Sequence, residues 1–198
     1  MVKRIFGLVL CGGRSSRMGG GEKALMDLAE EPLVDRVLRR LSPQVEQVAI
    51  NANRELGAYG ARGLPVLEDV IGGYQGPLAG VLTGLRWAEA AGASHVLSVA
   101  GDTPFYPEDL AQRLSEALGG GDRIAMAQTE DGRHPTFALW PVDLGDDLQA
   151  SLEGGVRKII AWSDGHGCAK VRFEGTPDPF FNVNTPDDMA EATRMIGS

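Results

Sequence analysis

The chain has 198 residues, of which 43% are hydrophobic and 23% are charged. This length suits one domain and this composition is typical of a folded globular protein, so a disordered or fibrous chain is excluded. The net charge of −8 argues against general nucleic-acid binding, because proteins that bind nucleic acid need a basic surface.

The first half of the chain alternates short apolar runs with helical periodicity. Near-continuous apolar runs are typical of strands buried on both faces, and they predict strands over residues 5–11, 45–51, 64–67 and 95–100. Apolar side chains that recur every three and four residues predict helices over residues 32–41, 77–91 and 107–118.

The second half is less regular. Strands are predicted over residues 123–128, 136–140 and 169–173, and helices over residues 144–152 and 156–162. Thr185 and Pro186, followed by two aspartates, form a strong helix start. The alternation of strands and helices predicts an α/β fold with a mostly parallel sheet, and the lack of a linker or repeat predicts one domain over residues 1–198.

The N-terminal segment and the cysteines indicate where the protein acts. Residues 1–11 resemble a signal peptide, but the apolar run leads directly into two glycines without a small-residue cleavage site. No stretch approaches the 18 or more apolar residues of a membrane span. Cys11 and Cys168 form no C-x-x-C pair. We therefore expect a cytoplasmic protein that contacts neither membrane nor nucleic acid.

A basic, glycine-rich loop follows the first predicted strand. Residues 1–23 carry a net charge of +4 in a chain of net charge −8, and residues 10–24 read LCGGRSSRMGGGEKA. Ligands of open α/β sheets bind beyond the carboxyl ends of the strands, and glycine-rich backbone forms anion-binding nests. Arg17 and Lys23 add charge where a phosphoryl group would accumulate it. The loop predicts a site for a small polyanion, and the alternative is a flexible glycine loop.

Two common phosphate-binding motifs do not fit this loop. The P-loop requires Gly-Lys followed by Ser or Thr, whereas Glu22 precedes Lys23 and Ala24 follows it. A formal G-x-G-x-x-A match begins at Gly19, but it lies about eight residues beyond the strand instead of at its tip.

Six segments in order along the chain resemble one family of nucleotidyltransferases, the molybdenum cofactor guanylyltransferases. The loop over residues 10–23 resembles the family's L-A-G-G-x(2,3)-R-M-G-x-x-D/E-K motif. The further matches are residues 51–54, 68–69 with 76–80, 101–105, 134–136 and 181–188. Cys11 replaces the usual Ala and Ala100-Gly101 replaces a common Pro-Cys, and Cys11 adds a thiol beside the expected phosphates.

The resemblance implies a fold and an activity. It implies a Rossmann-like, single-domain fold similar to nucleotide-diphospho-sugar transferases, with helices on both faces of the sheet. It also implies Mg²⁺-dependent transfer of GMP from GTP to the terminal phosphate of molybdopterin, with molybdoenzymes or their chaperones as further expected partners. The alternatives are a cytidylyltransferase of the same cofactor, a sugar-phosphate nucleotidyltransferase, and a cofactor carrier without catalysis. The turn over residues 76–80 and the Gly-Gly after Cys11 favour guanine.

The resemblance also assigns site residues. Asp102 ends a predicted strand, where a carboxylate suits Mg²⁺ against triphosphate oxygens, although it could instead cap a turn. The expected catalytic residues are Arg17, Lys23 and Asp102, with Asp102 as metal ligand. The expected substrate-binding residues are Leu10, Cys11, Gly12, Gly13, Lys23, Asn51, Asp69, Gly76, Pro77, Leu78, Gly80, Asp102, Asn182 and Asn184.

Several of these residues have a structural alternative. Asn51 and Asp69 could form local turns, and Pro77 could simply begin a helix. Asn182 and Asn184 lie two apart on an extended segment, so they face the same way, but they could instead cap the last helix. His134 is either structural or a contact to substrate.

Overall fold

The computed structural model of the protein describes residues 3–11, 22–72, 76–119, 122–156 and 158–197. The strands are β1 (Ile5–Leu10), β2 (Asp27–Leu28), β3 (Glu31–Pro32), β4 (Gln47–Asn51), β5 (Val66–Leu67), β6 (His95–Ala100), β7 (Ile124–Thr129), β8 (Gly132–Pro141) and β9 (Cys168–Arg172). The helices are α1 (Leu33–Leu41), α2 (Leu56–Gly60), α3 (Pro77–Ala90), α4 (Leu110–Ala117), α5 (Gly145–Glu153), α6 (Ile159–Gly165) and α7 (Pro186–Ile196).

One large sheet organises the fold, with strand order β5-β4-β1-β6-β8-β7-β9. Strands β5, β4, β1 and β6 are parallel to one another, as are β7 and β9, whereas β8 is antiparallel to both β6 and β7. The carboxyl ends of β1, β4, β5 and β6 therefore meet at one edge of the sheet. In open α/β sheets this edge is where ligands bind.

Helices cover both faces of the sheet, as expected. Along β1 the side chains alternate: Val9 packs into the core under α1 and α4, while Phe6 and Leu8 pack into the core under α3, α5 and α6. This alternation follows from the two-residue period of a strand, and apolar residues on both sides explain the near-continuous apolar run.

Each predicted element is present, but several bounds differ. The helix predicted over residues 156–162 is α6, three residues later at both ends, the strand predicted over residues 64–67 is only the two residues of β5, and the strand predicted over residues 136–140 is the longer β8. Helix α4 begins at Leu110 instead of residue 107, because the first three residues form a turn closed by the hydrogen bond from Leu110 N to Pro107 O. The structure also adds elements without an apolar period: the β2–β3 hairpin and helix α2, whose five residues include two glycines. Among the described residues, no helix is long and apolar enough to span a membrane.

Candidate active site

The carboxyl edge of the sheet brings the chain just after β1, β4 and β6 together. Cys11 N donates to Asn51 O at 2.9 Å, and Gly101 N donates to Leu10 O at 3.0 Å. Backbone pairing therefore continues one residue beyond the strands, and it fixes the first residues of the loops at this edge relative to one another. Gly12, Gly13 and Arg17 follow in the glycine-rich loop and lie outside the described residues.

Lys23, Asp102 and Asn184 form a compact group, here called the lysine cluster. Lys23 Nζ lies 2.5 Å from Asp102 Oδ2 and donates a hydrogen bond of 2.6 Å to Asn184 Oδ1. The side chains of Lys23 and Asp102 are only 16% and 20% exposed. Three residues far apart in the chain thus meet at the end of β6, where the sequence analysis places a candidate phosphate and metal site.

Residues 180–185, here called the closing segment, precede α7, contact Asp102 and hold Asn184 in place. Val183 N donates to Asp102 O at 2.9 Å, and the N–H groups of Asn184 and Thr185 both donate to Asp188 Oδ2 at 2.8 Å. Asp188 N in turn donates to Thr185 Oγ1, which completes a capping box. These backbone hydrogen bonds, led by that from Asn184, lower the pKa of Asp188. The hydrogen bonds that cap α7 therefore also position Asn184.

A second group, here called the aspartate network, consists of Asn51, Asn53 and Asp69. Asn51 Nδ2 donates to Asp69 Oδ1 at 2.9 Å and to Leu67 O at 3.1 Å. Asn53 Nδ2 donates to Asp69 Oδ2 at 2.9 Å, and Asn53 Oδ1 accepts from Asp69 N at 2.9 Å. Both carboxylate oxygens of Asp69 are thus held by amide donors from the end of β4.

Helix α3 packs its first turns against this network. Gly76 adopts φ +70° and ψ −163°, a backbone geometry that favours glycine, and Pro77 occupies the first helical turn. A Cβ at Gly80 would overlap the side-chain oxygen of Asn51 and approach Leu10 Cδ2 to 2.8 Å. The side chain of Leu78 lies in the core, so Leu78 is available to a ligand only through its backbone.

The thiol of Cys11 is protected rather than reactive. Cys11 is 7% exposed, and burial raises the pKa of its thiol to about 12. Because the thiolate is the reactive form, the raised pKa disfavours reaction of this thiol at neutral pH.

Comparison with known proteins identifies the family. A family model described as the MobA-like NTP transferase domain matches residues 7–168. The molybdenum cofactor guanylyltransferase of Mesorhizobium japonicum is 44% identical to this chain, over 100% of this chain and 99% of the relative. The enzyme of the same name from Cereibacter sphaeroides is 45% identical, over 98% and 97%.

The chain belongs to the MobA-like NTP transferase family.

The expected fold is also confirmed by a solved structure. Molybdopterin-guanine dinucleotide biosynthesis protein A from Archaeoglobus fulgidus superimposes with a TM-score of 0.77 at 23% identity, and the match covers 97% of this chain and 98% of that one. The MobA-like fold therefore extends through the closing segment and α7, beyond the end of the family model at residue 168.

Two other candidate residues of this MobA-like chain, Asn182 and His134, belong to the segment before α7 or contact it. Asn182 is exposed and precedes Val183, the residue that hydrogen-bonds to Asp102. His134 Nε2 shares a hydrogen bond of 2.8 Å with Thr129 Oγ1, and its ring stacks on Phe180 at 4.4 Å. Burial lowers the pKa of His134. These contacts give His134 a structural role in supporting the closing segment.

Sequence reasoning missed two contributors to the site. Asn53 belongs to a matching segment, but nothing in the sequence indicates that it contacts Asp69. Thr83 lies two turns into α3, accepts a hydrogen bond of 3.0 Å from Val70 N and thereby ties the loop after Asp69 to the helix. Both contacts join residues more than ten positions apart, which a local pattern does not reveal.

The lysine cluster offers oxygen ligands of the kind that magnesium binds in proteins. In the described ranges, no group of three or more His, Cys, Asp or Glu side chains is arranged to hold a metal ion. Mg²⁺ does not require one, because it commonly binds one or two carboxylates together with phosphate oxygens and water. The oxygens of Asp102 and Asn184 already face one cation, the Lys23 ammonium. This donor set therefore suits a hard cation that arrives with phosphates.

Proposed function

We propose that the protein transfers the GMP moiety of GTP to the terminal phosphate of molybdopterin, forming molybdopterin guanine dinucleotide and pyrophosphate. The lysine cluster at the carboxyl edge of the sheet is the observation that carries this proposal. The full-length similarity to relatives named molybdenum cofactor guanylyltransferase supports the choice of donor and acceptor.

The chemistry requires positioning and charge neutralisation more than proton transfer. An oxygen of the acceptor phosphate attacks the α-phosphorus of GTP, a new P–O bond forms, and the bond to the pyrophosphate leaving group breaks. The nucleophile is already an anion, so no general base is needed. Lys23 donates to phosphate oxygens and offsets the charge that spreads over them in the transition state. Arg17 is proposed to act in the same way.

Asp102 is the proposed ligand of Mg²⁺. When bound, Mg²⁺ supplies positive charge against the triphosphate oxygens. The chain contributes an oriented carboxylate, because the Asp102 backbone is fixed by the hydrogen bond from Val183 N. Asn184 provides a neutral oxygen beside it.

The guanosine end of GTP is proposed to lie at the same edge of the sheet but away from the lysine cluster, against the aspartate network and the start of α3. Leu10, Cys11, Gly12 and Gly13 would line the phosphates through their backbone. Asn51, Asp69 and the turn Gly76, Pro77, Leu78 and Gly80 would line the base and ribose. Asn182 would join Asn184 at the acceptor. The support is that β1, β4, β5 and β6 end at one edge.

The setting of the reaction is also part of the proposal. Residues 1–198 would work as one nucleotidyltransferase domain in the cytoplasm. The described cysteines, Cys11 and Cys168, are free thiols, as expected of a reducing compartment. Molybdoenzymes or their chaperones would receive the product.

Release of pyrophosphate tests the activity. Purified protein is mixed with GTP, Mg²⁺ and molybdopterin, and pyrophosphate and the dinucleotide are both measured. We expect both products in equal amounts, and neither when molybdopterin is left out. Tight binding of the cofactor without release of pyrophosphate would instead identify a carrier.

A binding titration tests the choice of nucleotide. GTP, CTP and ATP are compared on the same preparation. We expect GTP to bind most tightly, and a clear preference for CTP would replace the proposal with a cytidylyltransferase of the same cofactor.

A further inference from the structure

We propose that Asn53 is a positioning residue that orients the Asp69 carboxylate for the nucleotide. This inference rests on the proposed function, in which Asp69 contacts the guanosine part of GTP. Asn53 lies outside the set of residues that resemblance assigned to the substrate, and its role is inferred from its contacts alone.

Asn53 holds Asp69 at two points. Its amide nitrogen donates to Asp69 Oδ2, and its amide oxygen accepts from the Asp69 backbone N–H, both at 2.9 Å. A single side chain thereby fixes both the carboxylate and the peptide to which it is attached. The partners are 16 residues apart, so these contacts do not form the local turn that an Asn commonly makes with its neighbours.

Asn51 holds the other carboxylate oxygen from the buried side. It is 3% exposed, and its two N–H donors are directed to Asp69 Oδ1 and Leu67 O. Because both of its donors are occupied, Asn51, like Asn53, influences nucleotide binding by fixing the Asp69 carboxylate. The two amides therefore act as a pair, one buried and one exposed.

The pair leaves Asp69 able to receive a donor. An ionised carboxylate has about four lone-pair positions, and each oxygen of Asp69 accepts from one amide. The remaining positions accept hydrogen bonds from a ligand. The fixed orientation reduces the side-chain entropy that nucleotide binding would otherwise remove.

Because Asn53 is exposed, its effect on nucleotide binding can be measured separately from any effect on folding. Asn53 lies at the surface, whereas Asn51 is buried beside Gly80. Replacing a surface side chain away from special backbone features usually changes the free energy of unfolding little. Asn53→Ala can therefore report on nucleotide binding without loss of the fold.

The first test is the affinity of Asn53→Ala for GTP, measured by calorimetric titration without acceptor. We expect binding to weaken roughly tenfold, since two hydrogen bonds that orient Asp69 are lost. Under turnover, KM for GTP should rise by a similar factor while kcat stays within about twofold, because the reacting phosphates are not touched. Gln112→Ala, which removes an exposed amide on α4, is the matched control and should leave GTP affinity unchanged.

The second test is a double-mutant cycle with Asp69→Ala. If Asn53 acts through Asp69, Asn53→Ala in the Asp69→Ala background changes GTP affinity less than about twofold. An equal loss in both backgrounds, or a large fall in melting temperature for Asn53→Ala alone, would overturn the inference. The cycle measures binding only. A wild-type protein that binds GTP without transferring GMP would overturn the proposed function and leave the cycle interpretable.

Discussion

The aspartate network and the lysine cluster lie at the same edge of the sheet, but they are held together differently. The network is built by neighbouring elements, namely the ends of β4 and β5 and the first turns of α3. The lysine cluster joins residues 23, 102 and 184, and a single ammonium group links them. The aspartate network contains no cation, because its single carboxylate accepts hydrogen bonds from neutral amides.

This difference indicates what each group contributes to the reaction. The Lys23 ammonium is paired with the Asp102 carboxylate. Phosphates that enter must therefore bind the ammonium alongside this carboxylate or displace the carboxylate from it. We therefore expect charge to redistribute in the lysine cluster during catalysis, and we expect the aspartate network to act as a fixed surface for nucleotide binding. Substitutions in the first should reduce turnover, and substitutions in the second should reduce affinity.

Asp102→Ala should give the largest effect. We expect turnover to fall by roughly a thousandfold, because removal of a preorganised charged group at a reacting phosphate has costs of this order. The fold should persist, with a cooperative melting transition. Rates are measured by pyrophosphate release at saturating GTP and Mg²⁺.

Asp122→Ala is the control for this variant, since Asp122 is exposed and precedes β7 at the opposite edge of the sheet. It should retain near-normal turnover. Near-normal turnover of Asp102→Ala itself would show that the metal is bound elsewhere.

Lys23→Ala should have the next largest effect, a fall in turnover of roughly a hundredfold. Lys3→Ala is the matched control. Both lysines belong to the basic first 23 residues, but Lys3 Nζ donates to Ser115 O at 2.6 Å, at the opposite edge of the sheet. If both variants lose the same activity, then overall positive charge matters and the lysine cluster does not.

Substitutions at two glycines of α3 distinguish a loss of GTP affinity from a loss of stability. A Cβ at Gly80 meets Asn51, and a Cβ at Gly84 meets Leu8 Cδ2 at 2.5 Å. Both alanine variants should lose about 1–3 kcal/mol of unfolding free energy, because an added methyl forces packed side chains apart. Urea unfolding measures this loss.

Only Gly80→Ala should also weaken GTP binding, by roughly tenfold, since it displaces a member of the aspartate network. Gly84→Ala is destabilised in the same helix but should bind GTP normally. Equal affinity losses in the two variants would mean that binding follows global stability.

Much of the fold could be predicted because the signals are local. Strand β6 was predicted with its observed bounds, and Thr185 begins α7 with the predicted cap. The direction of β8 was not predictable, because an apolar run has the same pattern in parallel and antiparallel strands. Helix α2 has neither the length nor the apolar period from which helices are predicted.

The lysine cluster could be predicted from the sequence more fully than the aspartate network. Lys23, Asp102 and Asn184 each belong to a segment with a recognisable motif, and the structure brings them together. The contact of Asn53 with Asp69 depends on how β4 and β5 align, which no motif encodes. Motifs indicate chemistry, whereas positioning contacts require the register of the sheet.

The smallest expected effect is a pH dependence of stability that comes from His134, beside the closing segment. Burial lowers the pKa of His134 and of His95, so the folded protein favours both neutral imidazoles. An unfolded histidine takes up a proton near pH 6.5. As the pH falls from about 7 towards 5, the unfolded chain therefore binds more protons than the folded chain, and the free energy of unfolding decreases.

Replacing His134 tests whether this dependence reaches the lysine cluster. His134→Gln should show a smaller decrease in unfolding free energy between these pH values, and so should His95→Gln, whose residue begins β6 at the opposite edge. His134 stacks on Phe180, three residues before the Val183 that hydrogen-bonds to Asp102, so His134→Gln alone should also reduce turnover, by about twofold. An unchanged pH dependence in His134→Gln would mean that its imidazole titrates alike in the folded and unfolded chains. Unchanged turnover would mean that the closing segment supports Asp102 only through the backbone hydrogen bond from Val183 N.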